Sequence, residues 1–221
     1  MSESATDNEI QTTELPLSHF NGRSVALALG SGGARGLAHI GVIRVLEEAG
    51  ANITAISGSS MGAVIGGMYA AGQLDAYQAW VEELERTDVL SLVDWTLSGG
   101  LIRGKKIIHK LAELAGEVNI EDLDIEFTAV AVDIDQGREV WLDNGSLYDA
   151  IRASTAIPGL FTPHRYRGRT LVDGGLLNPI PISPTLRSMC DLTIAVNVNA
   201  GEPYAQALTK ERKAHDEDDS P

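Results

Sequence analysis

Ser60 stands midway between Gly58 and Gly62 in the stretch ISGSSMGAV, residues 56 to 64, directly after a short apolar run. A hydroxyl presented on a sharp strand-to-helix turn needs small residues two positions to either side, because larger side chains collide where the chain folds back. Ser60 is therefore a candidate nucleophile. Ser59 or Ser60 is equally suited to cap the helix that follows, and the spacing leaves both readings open. In GSGGARG, residues 30 to 36, Gly32 and Gly33 carry no β-carbon to obstruct an approaching group. Their amide hydrogens can face a developing negative charge, with a helix dipole behind them, which is what an oxyanion hole requires. Arg35 is suited to hold an anionic part of a substrate.

A serine nucleophile needs a group to take its proton. His109, His164 and His215 follow Ser60 in the chain. His215 lies in an acidic tail, His109 on an amphipathic helix, and His164 beside Arg165 and Arg167 in a hairpin, so none reads as a held base. His39, in the first helix, reads as a packed or capping histidine. Asp173, in LVDGGLLNPIP, follows a short apolar strand, and Gly174 and Gly175 permit a turn that holds its carboxylate at a cleft. The alternative is an Asp-Gly turn that merely closes a hairpin. A carboxylate of ordinary pKa is a weak base towards a hydroxyl, so Asp173 requires a raised pKa or tight positioning to serve.

The elements that must position these groups alternate strand with helix. Residues 24–30 form a short apolar run ending in glycine, and Leu37, Ile40, Ile43, Val45 and Leu46 then recur at helical spacing up to Gly50. Residues 53–58 are a second strand and 60–72 a second helix, rich in Gly and Ala. This β-α-β-α order predicts a parallel sheet whose two glycine junctions emerge at the carboxyl edge, where open α/β sheets place ligands. Further helices are expected near 74–86 and 104–115, with Trp95 and Leu97 between them on a mobile cover. Strands are expected at 127–135, 138–142 and, buried, at 191–198, with a hairpin turning at Arg167-Gly168. Ile157, Leu160 and Phe161 suit either an acyl groove or ordinary core.

Other functions fit less well. A dinucleotide fingerprint starting at Gly30 would need glycine where Arg35 stands, and the acid expected at the end of the next strand is replaced by Ser57-Gly58. The Gly-Lys-Ser/Thr ending of a phosphate-binding P-loop is absent. A net charge of -14 in 221 residues disfavours nucleic acid. Half of that charge sits in the ends: residues 1–20 hold four acids and no Lys or Arg, and residues 201–221 hold six acids against Lys210, Arg212 and Lys213. The expected organisation is a disordered acidic tail over 1–22, a catalytic domain over 23–200 and a charged tail over 201–221. A single cysteine, Cys190, fits a reducing compartment. Neither a signal peptide nor a membrane-spanning run is legible, so the expected location is cytoplasmic.

Three signatures in order, SGGARG (31–36), GSSMG (58–62) and DGG (173–175), resemble the patatin-like phospholipases. Within that family they are similar to the small bacterial members related to the esterase domain of neuropathy target esterase. AIRASTAIPGLFTP (150–163) also looks like the family, and the likeness covers about residues 24–198. The resemblance implies a mostly parallel sheet sandwiched by helices and a serine-aspartate dyad, here Ser60 and Asp173. It further implies an oxyanion hole from Gly32 and Gly33, with Arg35 near a lipid phosphate. The implied substrates are phospholipids, lysophospholipids or other acyl esters, met in transient contact with a membrane surface and without metal or cofactor. An acyltransferase on the same dyad, or a noncatalytic acyl-lipid-binding protein, would use the same crevice. Ser31 departs from the family pattern where many members have glycine. The chain also turns into a charged tail where such proteins continue for several helices, so C-terminal helices are expected to be missing.

Overall fold

The computed structural model describes residues 16–83 and 109–199. The expected cover at Trp95 and Leu97, the end of the helix expected near 74–86 and the start of the one near 104–115 lie outside the described residues. The boundary of the expected tail at residue 22 falls inside them. Leu17–Phe20 form a 3-10 turn, Phe20 packs on the core, and the Gly22 amide donates to the Gly50 carbonyl at 2.8 Å.

Among the described residues seven strands make one sheet: β1 (Ser24–Leu29), β2 (Asn52–Ser59), β3 (Glu126–Asp133), β4 (Arg138–Leu142), β5 (His164–Tyr166), β6 (Arg169–Asp173) and β7 (Leu192–Val196). β7, β1, β2 and β3 pair in parallel, in that order, whereas β4 and β6 each pair antiparallel with β3, and β5 antiparallel with β6. The α/β fold with helices against a central sheet is thus present, and its parallel half is the β-α-β-α unit legible in the sequence. β1 is contacted by the helices Met61–Ala70 and Ile182–Thr185 on its two faces, which is why Val25 to Leu29 form an unbroken apolar run with no exposed residue. β7 differs from expectation. Among the described residues it is an edge strand, with Leu192, Ile194 and Val196 packed against the core on one face and Thr193 and Ala195 exposed on the other.

The described helices are α1 (Ala38–Glu48), α2 (Met61–Ala70), α3 (Leu74–Glu83), α4 (Leu147–Ser154) and α5 (Ile182–Thr185), together with helical residues 109–115. α1 buries His39, Ile40, Ile43 and Leu46, while Val45 points outward, since only steps of three and four residues return to one helix face. Gly50, at φ 78°, stops α1 where the expected glycine stands. α2 is buried all round, and its small residues let it lie against the sheet. A β-carbon on Gly66 would come within 2.6 Å of Ile56, and one on Gly67 within 2.7 Å of Ile151 from α4. The register places Leu27, Ile56 and Phe127 on the α2 face and Ala28, Ser57 and Thr128 on the other. There the Ser57 hydroxyl donates to the Pro181 carbonyl just before α5. β3 ends sooner than expected because Asp133 Oδ1 accepts the amides of Asp135 and Gln136 and turns the chain.

One topological detail positions the site. β4 occupies one edge of β3 along residues 129–133. On the other edge β2 runs parallel as far as Ser59, opposite Val130, and stops. β6 then takes over that same edge from the opposite direction and ends at Asp173, opposite Ala131. Two strands meet head to head, and their carboxyl ends fall side by side.

Candidate active site

Ser60 follows the last residue of β2, Asp173 is the last residue of β6, and the seam brings them together across 113 positions of sequence. Ser60 Oγ donates to Asp173 Oδ2 at 2.6 Å, and both residues are buried. Ser60 occupies the N-cap position of α2, yet its hydroxyl makes no capping bond. Its backbone lies at φ 55° and ψ -121°, a conformation that costs a non-glycine residue roughly 1–3 kcal/mol and persists only where surroundings impose it. The surroundings are tight. A β-carbon on Gly58 would lie 2.4 Å from the Ala63 amide nitrogen, and one on Gly62 would lie 2.0 Å from the Leu29 carbonyl oxygen.

Asp173 uses its two oxygens separately. Oδ2 faces Ser60, and Oδ1 accepts the Gly175 amide at 2.7 Å, capping the 3-10 turn Gly174–Leu176. No hairpin closes here, since β5 and β6 turn at Arg167-Gly168; the Asp173 carboxylate instead caps a 3-10 turn with one oxygen and faces Ser60 with the other. Burial pushes the Asp173 pKa above the ordinary carboxylate value, against the opposing pull of the hydrogen bonds from Ser60 and Gly175. Gly174 has to be glycine, as its β-carbon would meet the Val130 carbonyl oxygen at 2.1 Å.

The loop from Gly30 to Gly36 borders the same place. Gly30 would meet the Val196 carbonyl if it carried a β-carbon, Gly36 would meet Met61, and Gly175 would meet Ser31 at 2.9 Å. The loop is fixed by its first two residues: the Gly30 amide donates to Val196 at 3.0 Å, the Ser31 amide to Pro179 at 2.8 Å, and Asn199 Nδ2 to the Ser31 carbonyl at 2.6 Å. The amides of Gly32 and Gly33 have no acceptor among the described residues. Gly33, at φ 54°, has open space where a side chain would be. The Arg35 side chain is exposed.

His39 is fully buried, and its Nε2 donates to the Gly30 carbonyl at 2.8 Å, which assigns the proton to Nε2. Its Nδ1 has no partner among the described residues, and burial holds the ring's pKa below the ordinary histidine value. Among the described residues, neither His109 nor His164 bonds to Ser60 or Asp173. His164 pairs with Asp149 at 2.9 Å and stacks on Tyr166, His109 is exposed, and His215 lies outside the described residues. Ile157, Leu160 and Phe161 are half-buried in the strap that begins beside Asp173, whose amide donates to the Ala156 carbonyl at 3.0 Å. A hollow of about 300 Å3 lies on the α5 side of the sheet, lined by Ser57, Phe127, Thr185 and Arg187, and includes neither Ser60 nor Asp173.

Sequence reasoning missed Ser154. At the end of α4 and fully buried, it donates from Oγ to the Val130 carbonyl at 2.6 Å and accepts the Ser60 amide at 3.0 Å. It lies within AIRASTAIPGLFTP, the stretch that resembles the family, but nothing in that stretch links a helix-end serine to Ser60, 94 residues earlier.

The patatin-like phospholipase profile aligns with residues 27–186, and the chain belongs to that family. Among curated relatives, an uncharacterized NTE family protein of Mycobacterium tuberculosis is 51% identical over 179 residues, covering 80% of this chain and 50% of that protein. The lysophospholipase nte1 of Emericella nidulans is 32% identical over 208 residues, covering 85% of this chain and 13% of its own. This chain thus spans about half the length of the mycobacterial relative. Among solved structures, VipD from Legionella pneumophila superposes with a TM-score of 0.49 at 18% identity, over 72% of this chain and 47% of that one. Among the described residues no helix is long and apolar enough to cross a membrane.

Proposed function

We propose that this chain is a serine hydrolase cleaving acyl esters of lipids, of phospholipase A or lysophospholipase type, with Ser60 as nucleophile and Asp173 as its base. The observation that carries this reading is the 2.6 Å hydrogen bond between two buried groups that the fold brings together from the ends of opposed strands. Membership of the patatin-like family and the likeness to fungal lysophospholipases supply the substrate class.

In the proposed course Ser60 Oγ attacks the ester carbonyl while its proton passes to Asp173 Oδ2. A buried carboxylate with a raised pKa is better matched to that transfer than an exposed one. The tetrahedral oxyanion takes hydrogen bonds from the Gly32 and Gly33 amides, which have no competing acceptor among the described residues. Collapse breaks the ester bond, and the departing alcohol takes the proton from Asp173, leaving Ser60 acylated. Water then gives a proton to Asp173 as it attacks the acyl-enzyme, and that proton returns to Ser60 Oγ as the fatty acid leaves. Arg35, exposed beside the loop, pairs with the phosphate of a phospholipid, and Ile157, Leu160 and Phe161 line the path of the acyl chain.

Labelling with a fluorophosphonate probe, followed by turnover of a phospholipid and lysophospholipid panel, tests the reading. The parent is expected to label at one site and release fatty acid, and Ser60→Ala to do neither. Labelling that survives Ser60→Ala rejects the site, and labelling without turnover to water directs attention to acyl transfer.

A further inference from the structure

Resting on the reading of Ser60 as nucleophile, we propose that Ser154 is a positioning residue that holds the Ser60 backbone in its strained conformation. The seam in the sheet creates the need for it. Where β2 and β6 both end, Ser59 and Asp173 face neighbouring residues of β3, and the Val130 carbonyl accepts the Ser154 hydroxyl proton at 2.6 Å. A hydroxyl has one proton to give. With that proton committed to Val130, the lone pairs of Ser154 Oγ are left for the Ser60 amide at 3.0 Å, so the direction of both bonds is fixed.

The Ser60 residue is consequently tied at three points. Its amide is bound by Ser154, its carbonyl accepts the Ala63 and Val64 amides of the first turn of α2, and its hydroxyl faces Asp173. A left-handed φ on a residue other than glycine persists only under such constraint. The tie also consumes the Ser60 amide, so it is not free to bind an oxyanion, which leaves that work to Gly32 and Gly33. The neighbouring hydroxyl is a natural comparison: Ser59 Oγ is buried in the same seam and bonds to nothing among the described residues.

The test compares Ser154→Ala, Ser154→Thr and Ser59→Ala with the parent, reading the fluorophosphonate rate per titratable site and hydrogen exchange at the Ser60 amide. Ser154→Ala is expected to titrate to the same final stoichiometry but to label about 10- to 100-fold more slowly at saturating probe, since small displacements of a nucleophile are that costly. Its half-saturating probe concentration should stay within about twofold of the parent's. The Ser60 amide should exchange about tenfold faster while the Leu27 and Ile56 amides keep their protection. Ser154→Thr restores the hydroxyl and most of the rate, and Ser59→Ala labels as the parent does. Ser154→Cys, which keeps the size and weakens both bonds, gives the same slowing should the alanine variant not fold. Parental labelling by Ser154→Ala, equal slowing by Ser59→Ala, or a Ser60 amide that stays protected without the hydroxyl overturns the proposal. Undiminished labelling of Ser60→Ala would instead overturn the nucleophile, and the exchange measurement would still decide what Ser154 holds.

Discussion

The two glycine-rich junctions at the carboxyl edge of the sheet look alike in sequence and differ in how they are packed. At the β2–α2 junction both glycines are hemmed in by backbone, within 2.4 Å of Ala63 for Gly58 and 2.0 Å of Leu29 for Gly62. At the β1–α1 junction crowding affects Gly30, Gly32 and Gly36, while Gly33 faces open space at φ 54°. One junction uses glycine to let chains touch. The other also leaves open space at Gly33, and the Gly32 and Gly33 amides have no acceptor among the described residues. Under the proposed function the β2–α2 junction has to hold a nucleophile rigidly and the β1–α1 junction to give access where charge develops, two demands met by the same residue type for different reasons.

The largest effects should come from the held side. Ser60→Ala is expected to lower phosphonylation and lipid turnover by about 10^3-fold or more, measured by gel fluorescence and fatty-acid release, with little change in melting temperature. Asp173→Asn should cost a similar factor in activity, yet behave differently in stability. Because burial raises the Asp173 pKa, the unfolded chain releases that proton first as pH rises. Parent stability therefore declines from the ordinary carboxylate range up to the raised value and is level above it. Asp173→Asn removes the decline, so at neutral pH it should melt at or above the parent's temperature by calorimetry; a lower melting temperature would show that the carboxylate stabilises the fold.

Substituting the glycines tests the contrast itself. Gly62→Ala forces a β-carbon against a carbonyl oxygen and should destabilise by about 1–3 kcal/mol or more in urea unfolding, since the obstructing atom is backbone. Gly33→Ala meets nothing and should cost only the left-handed penalty of about 1–2 kcal/mol, while slowing phosphonylation through the altered amide direction. A larger stability loss at Gly33 than at Gly62 would dissolve the distinction. The smallest effect is expected at His39→Gln. Its pKa is lowered by burial, so as pH falls below about 6.5 the unfolded chain binds the proton first and the parent loses stability. Thermal melts of the glutamine variant should lack that acid-side slope and match the parent at pH 8.

Much of this molecule is written locally. The runs at 24–30 and 53–58, the stops at Gly50 and Gly72, and the small-residue face of α2 can be read without coordinates because backbone sterics and apolar periodicity act over a few residues. Val45, apolar yet exposed on α1, shows that apolar character alone does not say which side of a helix a residue takes. β7 lies where its apolar run predicts but has one face exposed, because such a run does not say whether both faces of the strand are covered. Ser60 was conspicuous through its flanking glycines, whereas Ser154, an ordinary helix-end serine, had no such signal.

The sequence by itself determined which residues have special chemistry and where the chain must bend, since those properties belong to side chains and to neighbours within a turn. Tertiary structure alone decided that β2 and β6 share one edge of β3 and end face to face. That arrangement turns an Asp-Gly turn into a partner for Ser60 and a buried serine on α4 into a tie for its amide. Strand pairing joins residues more than a hundred positions apart, and its register is fixed by packing of the whole sheet rather than by any short stretch of chain.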